Sequence, residues 1–550
     1  MEDKDESKIC QNCKIDFTIE PEDFLFYEKI KVPPPTFCPH CRFVRRMIWR
    51  NERSLYKRRC DLCNKDMISI HHDDVPFPVY CKDCWWGDQW DPLQYGQDFD
   101  FSRPFFEQFK ELQDRVPRLV IFANKSENSD YTCHSFQNRN GYLCFRMKNS
   151  QDMAYCFQTI DCNDCMDCYS ITECQLCYHC FDCFNCYGCK YVSFAKNCSD
   201  CIFGYDLIGC RNCFGCSGLR GKEYCIFNEQ KTREEYEKFL KEFDFCNEDV
   251  FLGAMEKFNL VTMSVPRKNL AEVNNENCVG DHLHNSKNSF ECYDCEGLED
   301  CAYSTFIFKD KDCYDLHGVG ESELCYDSMG VEEVYNLKFS YLTDNTKNSS
   351  YCALCFNSEN LFGCISLNRK KNCIFNKQYS EEGYKEMLNK IIVHMKETNE
   401  WGEFFPINIC PYAYNETVSG VDYPMVKEHV LAKGWSWKDK DSKEYLKQNF
   451  IVPSNIDDVN DSLLQKVLAC NHCGKNYKIV KAELDFYKNY RLPVSCLCSD
   501  CRYGEHLKNV NRRRLRQDKC QRCDKDIFTA YNSNYSGKIY CEECYLKEVY

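Results

Sequence analysis

Between Cys144 and Cys225 the spacing of apolar positions has a period of three: every cysteine number in this stretch is a multiple of three. A helical stripe recurs every 3.6 residues and a half-buried strand alternates every two, so neither accounts for it. Read in twelves, Cys165, Cys177, Cys189, Cys201, Cys213 and Cys225 form one column, and Cys162, Cys174, Cys186, Cys198 and Cys210 another. The two remaining columns are Cys144, Cys156, Cys168, Cys180, Val192, Gly204, Cys216 and Thr159, Ile171, Cys183, Ala195, Leu207, Leu219, all small or apolar. The pattern predicts a β-solenoid of twelve-residue coils that turn every third side chain inward and stack about 4.8 Å apart. Residues preceding the cysteines (Asp161, Asp164, Asp167, Asp182, Asn185, Gly188) tolerate corners with positive φ, and those following (Tyr169, Phe181, Phe184, Tyr187) are aromatic and clothe the outside.

The pattern returns from Cys292 to Cys373 with fewer thiols. One column reads Cys301, Cys313, Cys325, Leu337, Ser349, Leu361, Cys373 and another Cys295, Ile307, Val319, Val331, Thr343, Cys355, Leu367. A metal cage does not exchange thiolate ligands for Val and Leu, whereas a slim core does, and free Cys packs as a small hydrophobe. The central thiols are therefore expected to be reduced and to fill space; soft-metal storage, as with Cu(I), and disulfide stapling are the alternatives. The period of three is similar in spacing to the β-solenoids of beetle antifreeze proteins, with no ice binding implied. Both copies end alike, GCSGLRGKEYCIFNEQKTREEYEKFL at 215–240 and GCISLNRKKNCIFNKQYSEEGYKEML at 363–388, related by an offset of 148. Tyr236, Phe239, Leu240 and Phe243 then fall on one face of an amphipathic helix that caps the last coil.

The two ends are also copies of each other. Adding 460 to Cys10, Cys13, Cys38, Cys41, Cys60, Cys63, Cys81 and Cys84 gives Cys470, Cys473, Cys498, Cys501, Cys520, Cys523, Cys541 and Cys544. A CxxC turn brings two thiolates to one cation and a second pair completes a tetrahedron, so the spacing joins the first pair with the second and the third with the fourth. The expected cofactor is Zn2+, about four ions per chain, structural rather than catalytic; iron–sulfur and redox dithiols are the alternatives. The segment CQNCKIDFTIEPEDFLFYEKIKVPPPTFCPHCRFVRR resembles a bacterial zinc-ribbon family of the form CxxC, FY, Pro, CPxCR, over about forty residues at each end. The C-terminal copy departs at Ser499-Asp500 and adds Cys496. The whole chain resembles uncharacterised Cys-rich multidomain proteins of uncultivated small-genome bacteria, a resemblance that implies no activity.

The expected architecture is multidomain and mainly β: a duplicated Cys-rich β-solenoid with amphipathic capping helices, flanked by two zinc-ribbon or treble-clef-like double-zinc modules. Its divisions are a zinc module at 1–92, a helical connector at 93–132, solenoids with their caps at 133–250 and 251–397, a connector at 398–468 and a zinc module at 469–550. In the first connector Ser102 is expected to cap a helix carrying Phe105, Phe109, Leu112 and Val116, docking the module onto the rod. The second connector is expected to bridge the second rod to the C-terminal module.

Charge changes this picture locally. The net charge of −15 argues against a chain that coats nucleic acid along its length, but Arg42 to Arg59 holds eight Lys/Arg against Glu52 alone. Arg42, Arg46, Arg50, Arg53 and Lys57 follow helical spacing, and the C-terminal counterpart carries Arg512, Arg513, Arg514 and Arg516. Together with Arg45 and Arg58 these form an expected phosphate-binding set, giving RNA or ribosomal contact without base readout; the competing expectation pairs them with the acidic middle of the same chain. A protein-interaction scaffold using the solenoid faces is the alternative function, and a thiol-rich metal store or redox protein the third. No HExxH, GxGxxG or Walker loop occurs, and His71-His72 stand beside cysteines that already suffice, so a non-enzyme is expected. The start MEDKDESKIC has no apolar signal region and no run of eighteen apolar residues occurs, so the expected setting is cytoplasmic with no membrane partner; the oligomeric state is left open.

Overall fold

The computed structural model describes residues 5–439, 445–510 and 513–550. Arg512 and the side chain of Val319 lie outside the described residues. The fold is mainly β and divides into two compact units, each drawn from two stretches: Met1–Ile121 with Leu270–Asp439, and Phe122–Asn269 with Lys440–Tyr550. The consecutive domains read from the sequence are thus regrouped. The N-terminal cysteine module shares a unit with the second repeat, and the C-terminal module with the first.

Each unit is built around one large sheet of almost wholly parallel strands, eleven strands between Ala123 and Gln230 and twelve between Glu272 and Gln378 among the described residues. Partners lie twelve residues apart: Phe145 pairs with Phe157, Phe157 with Tyr169, and Tyr169 with Phe181. Isolated bridges elsewhere on the repeat keep the same step, as in Gln151 with Asn163, Asn163 with Gln175 and Gln175 with Tyr187. The second repeat opens with an eleven-residue step, Glu272 to Leu283, and then settles to twelve. Rings one step apart stack, Phe157 on Tyr169 at 5.0 Å and Tyr169 on Phe181 at 5.2 Å.

The backbone shows why the period is three. The residue before each inward position is left-handed, with φ of 54° at Asp161, 50° at Asp164, 51° at Asp167 and 65° at Gly188. Leu143, Arg146, Tyr155 and Leu176 adopt the same conformation at 50°, 57°, 55° and 57°, although it costs a residue with a Cβ about 1–2 kcal/mol. The ladder offsets this strain. The left-handed residue donates its N–H one way along the stack (His179 to the carbonyl of Met166, 3.0 Å) and the residue after the inward one donates the other way (Met166 to the carbonyl of Cys177, 3.0 Å). The third N–H of each triplet belongs to the inward residue and points into the core.

That inward N–H requires an acceptor inside. A side chain twelve residues back supplies it in places: Cys180 N–H meets Cys168 Sγ at 3.4 Å, Cys162 N–H meets Ser150 Oγ at 3.0 Å, and Cys352 N–H meets Ser340 Oγ at 3.0 Å. The thiols also donate, Cys168 Sγ to the carbonyl of Met166 at 3.2 Å and Cys162 Sγ to that of Ile160 at 3.2 Å. The central cysteines are buried and unbridged, so they fill space as expected, and they also satisfy backbone polarity, which the sequence reading did not assign. The second repeat spends serine on the same task at Ser286, Ser304, Ser328, Ser340 and Ser349.

Each repeat ends in an antiparallel turn-back, Ile226 against Glu229 and Ile374 against Lys377, followed by the helices Arg233–Glu242 and Glu381–Glu397. Thr232 caps the first in a reciprocal box with Glu235, and Tyr236, Phe239 and Phe243 close over Phe214, with ring centroids 4.8 Å from Phe214 for the last two. The expected division at 250/251 falls inside a further helix, Glu248–Ser264, which packs on the strand Arg211–Ser217 and so belongs with the first repeat.

The connectors are redistributed as well. Phe105, Phe109, Leu112 and Val116 are buried, but they serve the second repeat, with Phe105 5.0 Å from Phe375 and 5.4 Å from Phe362. Ser102 does not cap this helix, Phe105–Gln113; its hydroxyl bonds Asp100, while the Glu400 carboxylate accepts from the N–H groups of Phe105 and Phe106, both at 2.8 Å. Of the second connector, Phe405 packs on Phe109 and Trp49, and Tyr414 and Val430 on Ile48, in the N-terminal module's unit. Ile456, Val459 and Leu463 join Leu484 and Tyr487 in the other.

Replacing Ser340 by Ala removes the acceptor of a buried N–H and is expected to cost about 1–3 kcal/mol in denaturant unfolding. Ser340→Cys, which keeps an acceptor, is expected to cost less.

Candidate metal centres

Each terminal module makes two sites from the same parts. A short antiparallel hairpin (Glu6–Ile9 with Asp16–Ile19, or Tyr56–Arg59 with Asp66–Ser69) holds one CxxC in its turn, and a helix (Pro39–Ile48, or Lys82–Trp86) carries the second pair, with Cys38 or Cys81 at its N-cap. The C-terminal module repeats this with Cys470/Cys473 facing the helix Ser499–Leu507 and Cys520/Cys523 facing Glu542–Val549.

The sixteen cysteines fall into four quartets, Cys10/Cys13/Cys38/Cys41, Cys60/Cys63/Cys81/Cys84, Cys470/Cys473/Cys498/Cys501 and Cys520/Cys523/Cys541/Cys544, with all four sulfurs of each within 4.8 Å of one another. Cys13 and Cys38 Sγ are 3.8 Å apart, as are Cys63 and Cys81 and Cys523 and Cys541; Cys473 and Cys498 are 3.6 Å apart. The edge of a tetrahedron with metal–sulfur bonds of about 2.3 Å is about 3.8 Å, so the quartets could each hold a metal ion and are compatible with zinc. Backbone N–H groups favour thiolate: Cys38 N–H lies 3.3 Å from Cys10 Sγ, Cys81 N–H 3.2 Å from Cys60 Sγ and Cys541 N–H 3.2 Å from Cys520 Sγ. The Cys38 thiol is brought down to about 5, first by its bond with Cys41, which is itself raised by that bond, so one of the two carries the charge. At Cys60, burial raises the thiol but the N–H groups of Cys63, Cys81 and Leu62 outweigh it, leaving about 7; the same balance leaves Cys470 and Cys520 at about 6. Cys496 is exposed and outside the quartets. His71 is buried, stacked on Tyr412 at 5.5 Å, and also outside them.

The expected phosphate-binding arginines are placed differently from the sequence reading. Arg42, Arg45, Arg46 and Arg50 are buried. Arg42 Nε donates to Asp315 Oδ2 at 2.8 Å, and Arg46 Nη1 to Asp315 Oδ1 at 3.0 Å and Asp327 Oδ1 at 2.7 Å. Arg45 reaches Asp327 at 2.8 Å and Glu403 at 2.7 Å. The helix ends at Ile48, so Arg50, Arg53 and Lys57 do not continue its face; Arg50 pairs with Glu52. Arg58 lies on the strand Tyr56–Arg59 and bonds Asp61 and the His72 carbonyl, both at 2.8 Å. At the other end Arg513 and Arg514 follow the helix Ser499–Leu507 rather than lying on it, and Arg516 is in a strand, donating to the Tyr531 carbonyl at 2.8 Å. Arg514 is exposed. A guanidinium must reach solvent to neutralise a phosphate, and the N-terminal cluster is already neutralised by acids of its own unit.

This chain matches no family model and no curated protein.

The docking acids were missed in the sequence, although the two offsets could have found them. Arg42 becomes Arg502 on adding 460, and Asp167 becomes Asp315 on adding 148; Arg502 pairs with Asp167 at 3.4 Å and with Glu483 at 2.7 Å. Tyr303 donates to Asp23 at 2.9 Å and Tyr155 to Glu483 at 2.6 Å, the same contact under both offsets. Arg42 lies over the Tyr303 ring at 5.1 Å and Arg502 over Tyr155 at 4.1 Å.

Beside the second of these docks, His179 and His506 face each other at 4.7 Å, and His506 Nε2 lies 2.7 Å from the Asp167 carbonyl. Burial first, with Arg502 adding to it at His179 against the pull of Glu505, brings His179 down to about 4; burial and the neighbouring His179 bring His506 to about 3. Both are lower than the value of about 6.5 in an unfolded chain, so in acid the unfolded state takes up protons that the fold excludes. The two histidines are therefore expected to contribute stability that is full above pH about 6.5 and lost as pH drops towards 4, opposed over part of that range by the Asp167 carboxyl, which burial raises to about 6. Thermal unfolding of the full chain across this range checks it, and His179→Gln is expected to flatten the slope.

Proposed function

We propose that this protein is a non-catalytic scaffold. In this reading four structural Zn2+ ions hold two treble-clef-like, zinc-ribbon modules, and each module clamps a β-solenoid whose outer faces take up a partner protein. The observation that carries the reading is the burial of Arg42, Arg45 and Arg46 against Asp315, Asp327 and Glu403 beside closed four-cysteine sites. Arg42, Arg45, Arg46 and Arg50 of the N-terminal module are engaged inside the unit, while Lys57 and Arg59 stay exposed, and a four-sulfur site has no open position for substrate.

The exposed sides of the repeats remain for recognition. Phe184 and Tyr187 stay 39% and 48% exposed on the first repeat, and Phe290 and Tyr335 39% and 41% on the second. With a net charge of −15, the matching surface on a partner is basic with apolar pockets. Free thiols in these numbers suit a reducing compartment such as the cytoplasm, and no helix among the described residues is long and apolar enough to cross a membrane. The phosphate-binding reading rests on the less buried arginines, Arg514 foremost.

Elemental analysis under reducing conditions is expected to give four zinc ions per chain; many more soft ions would favour metal storage instead. In small peptides structural zinc contributes about 10–16 kcal/mol per site, so chelation is expected to unfold the terminal modules, read as lost circular dichroism and new proteolysis.

Affinity purification with the full chain is expected to recover a defined protein that Phe184→Ala/Tyr187→Ala loses while zinc content stays the same. Retention of RNA at low salt that falls steeply as salt rises, with no protein recovered, would reverse the assignment.

A further inference from the structure

Under the offsets of 460 and 148 the two docks share a set of matching contacts. Arg42/Asp315 corresponds to Arg502/Asp167, Asp23/Tyr303 to Glu483/Tyr155, Tyr27/Tyr326 to Tyr487/Tyr178 and Phe43/His317 to Tyr503/Tyr169. The docks differ in their buried charges at Arg45, Arg46 and Asp327 in one unit, where the other has Glu505, His506 and His179, and at the more exposed Lys29/Asp312 pair, where the other has Asn489 and Asp164. In the first, Asp327 is fully buried and takes both guanidiniums, at 2.8 and 2.7 Å. In the second, two neutral imidazoles face at 4.7 Å, and Glu505 turns to Lys508 at 2.6 Å.

We infer that the buried corner is an address: positions 45 and 46 with 327, and 505 and 506 with 179, decide which terminal module each repeat accepts. The shared contacts attract without discriminating, since every one of them would form in a crossed pairing too. The buried corner would not. With the N-terminal module on the first repeat, Arg45 and Arg46 would face His179 and lose Asp327, leaving Arg46 only the Asp167 counterpart of Asp315 and Arg45 only Glu403. With the C-terminal module on the second repeat, the buried Asp327 would lose both guanidiniums, meet His506 instead and have the half-exposed Glu505 carboxylate nearby. Burying a charge without its partner costs far more than a matched pair gains, so the wrong pairing is excluded more strongly than the right one is favoured. The partner this surface fits is thus a cysteine module with a cationic corner on the second repeat and a neutral one on the first. The inference goes beyond the scaffold reading and holds whether or not an external protein binds.

The test uses the full-length, metal-loaded chain. Lys29 Nζ lies 2.8 Å from Asp312 Oδ2, so carbodiimide coupling of these residues, read by mass spectrometry, reports docking of the N-terminal module. Asp327→His and Arg46→His are each expected to lower the coupling yield several-fold and to lower the thermal transition. The double variant R46H/D327H, which rebuilds the histidine pair, is expected to lie closer to wild type than either single change. The mirror set guards against a variant that fails to fold. At about pH 8, where His506 is neutral, His179→Asp is expected to lower the transition, and adding His506→Arg to restore it. Metal content of every variant separates loss of docking from collapse of a cysteine quartet. Additive losses in both double variants, or single variants that couple like wild type, would overturn the inference.

Discussion

A left-handed residue at every third position governs the architecture. It turns the chain so that the next side chain faces inward, and it also turns that residue's own N–H inward, where no strand can reach it. The core must therefore be small enough to fit inside a twelve-residue step, and it is best satisfied where it can also receive a hydrogen bond from the N–H twelve residues on. Leucine, isoleucine or valine, present at inward positions such as Ile171, Val192 and Leu207, meets the first condition but offers the next N–H no acceptor. Cysteine and serine meet both, because each accepts from one coil and donates to a carbonyl of its own, as Cys168 and Ser340 do. The abundance of thiols follows from backbone geometry, and the exchange of Cys for Ser between the repeats keeps the hydrogen bond while changing the atom that makes it.

The terminal modules stand in a different relation to charge. Their cysteine quartets fix the ends of short helices, and those helices carry the cations into the sides of the repeats. Buried ion pairs of this kind add little over a well-packed apolar contact, but they are intolerant of a missing partner. Asp315 and Asp327 therefore act mainly to specify a pairing, while Phe26, Tyr27, Phe43 and the aromatic residues opposite them supply the apolar burial. The same scheme in the other unit keeps Arg502 and Asp167 and replaces the neighbouring charges by histidines. Identical scaffolding thus has different electrostatics, and with it a different response to acid.

Much of this was legible from residue spacing. The period of three gave the twelve-residue register, the inward columns and the left-handed corners at Asp161, Asp164, Asp167 and Gly188. The offset of 460 and the CxxC spacing gave the quartets, because two such turns supply the four sulfurs of one tetrahedral site. Less legible was the role of serine at Ser286, Ser304 and Ser340, since a column of Cys, Ile and Val reads as simple packing until the inward N–H groups are seen. The arginine run was misread as a continuous helical face because nothing in its spacing shows that the helix stops at Ile48.

The sequence by itself determined what depends on neighbours within a twelve-residue step or a turn: the inward period, the two duplications, the helices that follow each repeat and the four sets of sulfurs. Only the tertiary structure decided which module meets which repeat, and so whether Arg42 and Arg46 face solvent or carboxylates more than 260 residues away. The reason is physical. Local periodicity fixes which way a side chain points relative to its own backbone, whereas the fate of a charge depends on what is brought against it, and that is set by long-range docking.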